Sequence, residues 1–89
     1  METERHEVLG VEFDVNKERV GSWRMFQLFQ AAQKSVDDFD KIDAVMSIAC
    51  YITDMTADEF IEKCGGDDAP LTKVLEIAST LISEAYPKN

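Results

Sequence analysis

The segment KCGGDDAPLTKVL holds the residue types that most suggest chemistry in this 89-residue chain. Two glycines beside acids and a lysine are compatible with a phosphate-binding loop, a metal site or a connection between two helices. A phosphate-binding loop has the spacing Gly-x-x-x-x-Gly-Lys-Ser/Thr, which is missing, and carboxylates at a helix start repel an anion. We therefore predict a connection, in which one helix ends and the next begins at Gly65, Gly66, Asp67, Asp68 and Pro70.

The acids of the segment DDFDKIDAVMSIACYITD would suit calcium if they followed the EF-hand pattern. That pattern needs a glycine at the sixth position and a glutamate at the twelfth. Counted from Asp38, these positions hold Asp43 and Ala49, so the pattern fails. Many acids instead fall where helices are predicted to begin, and the helix dipole favours negative charge there. We predict no metal site.

The sequence also offers few residues from which a catalytic site could be built. His6 is the only histidine, and we expect it to lie in a charged, mobile N-terminus, which cannot hold a base in position. Cys50 and Cys64 are fourteen residues apart without neighbouring ligands, so we expect buried, reduced thiols rather than a zinc site. We predict that the protein is not an enzyme and that it uses no cofactor.

The hydrophobic pattern predicts a mainly α (α+β) fold, with a short N-terminal β-hairpin followed by a bundle of about four helices. The segment EVLGVEFDV alternates apolar and polar residues and places Val11, Phe13 and Val15 on one side. We predict a single domain over residues 1–89, made up of a hairpin and mobile N-terminus (1–15), a helical bundle (16–86) and a tail (87–89).

Helix boundaries follow from capping residues. A short turn at 17–20 is predicted to precede a helix over 22–34 that begins at Ser22, and a second helix covers 38–52. Ser35 and Asp37 are candidate caps for the second helix, and Thr56 and Glu59 form a capping box for the third. The predicted buried faces of the last three helices are Phe39, Ile42, Val45, Met46, Ala49 and Ile52, then Ala57, Phe60, Ile61 and Cys64, then Leu71, Val74, Leu75, Ala78, Leu81, Ile82 and Ala85.

The first long helix has more apolar surface than one core contact needs. Its apolar arc, which runs over Trp23, Met25, Phe26, Leu28, Phe29 and Ala32, covers about 220° of the helix. Either Trp23 packs under the hairpin while Phe29 faces the bundle, or part of the arc forms a groove for a helix of another chain. The second interpretation predicts partner contacts at Trp23, Met25, Phe26, Phe29 and Met46.

Charge excludes several classes of partner. The net charge is −9, and residues 37–68 carry ten acids against two bases. Direct binding to nucleic acid is not expected, because phosphate contacts need a basic face. No apolar run approaches the ~20 residues of a membrane span, and the first residues are too charged for a secretory signal. We expect a cytoplasmic protein that does not bind membranes.

Four segments in chain order carry a resemblance to a known family. They are EVLGVEFDV, VGSWRMFQLFQAA, an acidic middle helix and ITDMTADEFIEKCGGDDAPLTKVLEIASTLISEAYPKN. Over nearly its whole length the chain resembles the small tail assembly chaperones of long-tailed bacteriophages and prophages. Such chaperones bind the tape-measure protein, a long hydrophobic helical chain, and keep it soluble while the tail assembles. The resemblance implies a non-enzymatic chaperone in the cytoplasm of a bacterial host, absent from the mature virion. It is also compatible with a homo-oligomer.

An acidic decoy is the alternative interpretation. The excess of acids in residues 37–68 would then mimic nucleic acid and inhibit a DNA-binding enzyme. Binding of that kind should weaken steeply as salt increases. Helix capping already accounts for many of these acids.

Overall fold

The computed structural model describes residues 2–86 and has the predicted mainly α, α+β architecture, with an N-terminal antiparallel hairpin before the helices. The predicted tail, residues 87–89, lies outside the described residues. The strands and helices of the described residues are, in chain order, β1 (Thr3–Val8), β2 (Val11–Asn16), α1 (Lys17–Val20), α2 (Trp23–Lys34), α3 (Asp38–Thr53), α4 (Ala57–Cys64) and α5 (Leu71–Ala85).

A two-residue turn joins the strands of the hairpin. Val8 pairs with Val11, and Leu9 and Gly10 between them have φ values of 51° and 83°. Positive φ at both central residues is the geometry of a type I′ turn, whose twist matches that of the strands. Leucine is an unusual residue there, because its Cβ disfavours the left-handed conformation.

Strand β1 begins earlier than predicted, and this changes the position of His6. His6 pairs with Phe13, so it lies within the hairpin and not in a segment before it. The outer face of the hairpin is held across the strands by Arg5, which lies 2.9 Å from Glu12 and 3.0 Å from Asp14. These ion pairs stabilise a charged segment as a strand, which the hydrophobic pattern alone does not indicate.

Three predicted helix starts are confirmed. The Ser22 side chain accepts a backbone N–H from the first turn of α2 at 3.2 Å, and Asp37 accepts one from α3 at 2.7 Å. In α4, the Thr56 hydroxyl accepts the N–H of Glu59 at 3.2 Å while the Glu59 carboxylate accepts the N–H of Thr56 at 2.9 Å. This reciprocal pair is the predicted capping box.

The glycine-rich segment connects α4 to α5, as predicted, but its acids do not cap the start of α5. Gly65 and Gly66 end α4 with φ values of 129° and 89°, which residues with a Cβ rarely adopt. Pro70 immediately precedes α5 and makes no side-chain cap. Asp67 and Asp68 lie earlier, in the turn before it, and α5 has no side-chain cap.

Helix α3 lies at the centre, in contact with α2, α5 and strand β2, and the hairpin shares one core with the helices. The fully buried rings of Phe13 and Phe60 stack with centroids 4.9 Å apart and join β2 to α4.

Each of the three predicted buried faces includes an exposed residue, which is Phe39 in α3, Ala57 in α4 and Leu71 in α5. Phe39 in α3 is 75% exposed and Leu71 in α5 is also exposed, whereas Ile48 and Ile77, which the prediction omitted, are buried. Both exposed residues lie in the first turn of their helices, whereas Ile48 and Ile77 lie further along. A helical wheel predicts a direction around the helix but not where along its length the neighbouring elements end.

Candidate partner-binding site

The N-terminal half of α2 presents two large aromatic side chains to solvent. Trp23 is 70% exposed and Phe26 is 48% exposed, and their rings lie 5.1 Å apart at an angle of 39°. The Ser22 cap fixes the start of the helix and thereby the direction of both side chains. Trp23 therefore does not pack under the hairpin, which was the first of the two interpretations of the arc.

Beside these rings, α2 and α5 enclose a groove of about 470 Å³. At one end Phe29 and Tyr86 meet edge to face, with ring centroids 5.3 Å apart. We call this hollow the aromatic groove. Its lining residues are all uncharged, and they are Phe26, Phe29 and Gln33 from α2, Ser79, Ile82 and Ser83 from α5, and Tyr86 directly after α5.

The five predicted contact residues do not share one surface. Trp23, Phe26 and Phe29 lie together at the aromatic groove or directly beside it. Met25 is 1% exposed and belongs to the core, so its prediction as a direct contact is corrected. Met46 is half-buried and lines a separate hollow between α3, α4 and α5. Both methionines lie on sides of their helices that face other elements.

The α5 wall of the groove was missed by the sequence interpretation. Ile82 was assigned to the core, and Tyr86, just after the last turn of α5, was given no role. The apolar spacing from Ile82 to Tyr86 continues the helical stripe by four residues, and this signal was available in the sequence. That Tyr86 meets Phe29 depends on how α2 and α5 are placed around α3.

The two ends of the groove differ in charge. Near Gln33 the chain passes through the α2–α3 connection, where residues 34–43 carry four acids and two bases. Asp38 and Lys41 of this segment line an adjoining hollow together with Ser79, a residue of the groove itself. Near Trp23, residues 17–24 carry three bases and one acid, and α5 adds Glu84.

A second hollow, of about 440 Å³, lies between α1, α2 and the end of α3, and charged residues are part of its lining. Arg19 from α1 donates a hydrogen bond to the backbone oxygen of Tyr51 at 2.9 Å, lies over the Tyr51 ring and contacts Asp54 at 3.2 Å. These contacts use the charge of Arg19 to hold α1 against the end of α3. Arg19 therefore has a structural role, which is to hold two helices together.

The side chains with catalytic potential, those of His6, Cys50 and Cys64, come from three different elements, β1, α3 and α4. His6 Nε2 lies 2.8 Å from Glu4 Oε1 on the hairpin. Burial raises the pKa of the Cys50 and Cys64 thiols, and a protonated thiol is a poor nucleophile. Within residues 2–86, no three acidic, histidine or cysteine side chains are grouped closely enough to hold a metal ion.

Over the same residues, no helix combines the length and the apolar character that crossing a bilayer requires. Comparison with known proteins finds no matching family model, no similar curated protein and no similar solved structure.

Proposed function

We propose that this protein is a non-enzymatic binding protein that holds an apolar helix of its partner in the aromatic groove. The resemblance described above leads us to propose a phage or prophage tail assembly chaperone, with the tape-measure protein as partner. Its place would then be the cytoplasm of the bacterial host rather than the mature virion. The observation that supports this proposal most is the exposure of Trp23 and Phe26 beside an uncharged groove, in a chain of net charge −9.

The groove has dimensions that suit a helix. Both of its walls are helices, and its lining runs from residue 26 to 33 on α2 and from 79 to 86 on α5. Seven residues of helix rise about 10 Å, so each wall covers two turns. An amphipathic helix with apolar residues at i, i+3 and i+7 would match both walls over that length.

Burial of the exposed rings would supply part of the binding free energy. Complete burial of one large apolar side chain contributes about 1.5–3 kcal/mol. With 70% of Trp23 and 48% of Phe26 available, a partner that covered both rings would gain about 2–3.5 kcal/mol from these two residues. The high net charge would keep such complexes from associating with one another.

Co-expression with a tape-measure segment tests the proposal. We expect the protein to keep the segment soluble, and we expect Trp23→Glu and Phe26→Glu each to abolish this effect. Leu71→Glu is the matched control, because Leu71 is also an exposed apolar residue but lies at the opposite end of α5 from Tyr86, about 22 Å along the helix.

Equal solubility with all three variants would contradict the proposed surface. The acidic decoy would be favoured instead if the protein bound a DNA-binding enzyme with an affinity that fell steeply with salt and was unchanged by these substitutions.

A further inference from the structure

The inference concerns the orientation of the bound helix, and it rests on the proposed function. The aromatic groove is uncharged along its length, but its surroundings are not symmetrical. Beside Gln33 and Ser79 lies the α2–α3 connection, with Asp37, Asp38 and Asp40 against Lys34 and Lys41. On α5, Glu76 lies one turn before Ser79 and adds a further acid.

The opposite end of the groove has a different character. There Trp23 and Phe26 extend the apolar surface beyond the lining residues, and bases outnumber acids in the neighbouring segment 17–24. Two of these bases are already paired, Arg19 with Asp54 at 3.2 Å and Lys17 with Glu4 at 3.8 Å, and α5 adds Glu84 at this end.

We infer that the groove accepts a basic amphipathic helix in one orientation, with its lysines or arginines beside the α2–α3 connection and its bulkiest apolar residues beside Trp23. Opposite charges at the rim of an interface set orientation and partner choice more than they set total affinity. The uncharged lining carries the apolar stripe, while the acidic end selects against a helix that places its own acids there.

Designed peptides test the inference directly. Each has two heptads with one apolar stripe, contains no tryptophan and carries at one end either two lysines or two glutamines. Binding is measured by anisotropy of a fluorescent label at low salt. Exposed ion pairs strengthen binding only modestly, so the lysine peptide, with two of them, is expected to bind about fivefold more tightly than the glutamine peptide.

The single tryptophan reports the orientation. A nitroxide label at the end opposite the lysines is expected to quench Trp23 strongly, and the same label beside the lysines is expected to quench it weakly. Equal quenching by both labels would overturn the inference.

Charge reversal in the protein provides the matched comparison. Asp38→Lys is expected to remove the fivefold preference for the lysine peptide. Asp58→Lys changes the net charge equally in the first turn of another helix, α4, which does not line the groove, and should leave the preference intact. Thermal melts of both variants establish that they are folded.

The outcomes separate the inference from the proposed function. If both peptides bind equally well, the groove still binds helices and only the orientation is refuted. If neither peptide binds, the proposed function fails, and the inference fails with it. A dimer that Trp23→Glu dissociates would show that a second copy of this chain occupies the groove, which also overturns the inference.

Discussion

The turn of the hairpin holds a leucine in a backbone conformation that leucine disfavours. Leu9 has a φ of 51° and its side chain is 57% exposed. The left-handed conformation costs a residue with a Cβ roughly 1–2 kcal/mol, and asparagine is among the few residues that adopt it readily. The first position of a type I′ turn accordingly favours asparagine before glycine.

Two substitutions at Leu9 separate the backbone cost from the contacts of the side chain. Leu9→Ala keeps the unfavourable conformation and loses the buried part of the side chain, which is worth about 0.5–1 kcal/mol. Leu9→Asn loses the same contacts but relieves the backbone cost. We therefore expect the Asn variant to be about 1 kcal/mol more stable than the Ala variant.

Urea and thermal unfolding of the two variants measure this difference. One kcal/mol corresponds to a shift in Tm of about 4–8 °C for a domain of this size, and the urea m-values should be equal. A Cβ at Gly10 would meet no atom within 4 Å, yet its φ of 83° should still make Gly10→Ala destabilising.

If the two Leu9 variants melt together, the turn tolerates leucine without strain and the reasoning is refuted.

Two further predictions concern the core and the capping box. A double-mutant cycle of Phe13→Leu and Phe60→Leu, measured by urea unfolding, should give a coupling free energy of about 0.5–1.5 kcal/mol, because the rings stack with centroids 4.9 Å apart. Additive effects of the two substitutions would contradict a specific contact between the rings. The backbone N–H of Thr56 and then its hydroxyl hold the pKa of Glu59 below its usual 4.5 in the folded protein. This contribution to stability is present above pH 4.5 and is lost as the pH falls through the folded-state pKa. The stability difference between the wild type and Glu59→Gln should therefore shrink on acidification, and a difference independent of pH would argue against the assignment.

Helix starts were predictable because their causes are local. The side chains of Ser22, Asp37 and Thr56 reach only the next two or three residues, so the sequence contains both partners of each hydrogen bond. The end of α4 was predictable for a similar reason, since Gly65 tolerates a φ that other residues avoid. None of these features depends on what packs against the helix.

Burial was less predictable, because it depends on where other elements end. Phe39 follows the apolar spacing of α3 but is exposed in its first turn, whereas Ile48, further along the helix, is buried in the core. His6 was misplaced because ion pairs on the outer face of the hairpin support a strand with little apolar character.

By itself the sequence determined the order and type of the elements, the concentration of acid in the middle of the chain and the surplus of apolar surface on α2. Tertiary structure alone decided how that surplus is divided, with Met25 in the core and Trp23 in solvent. It also brought Tyr86, from the far end of the described chain, against Phe29 to complete the groove. The physical reason is that periodicity defines the direction of each side chain around its own helix, while exposure depends on which other helix occupies that direction.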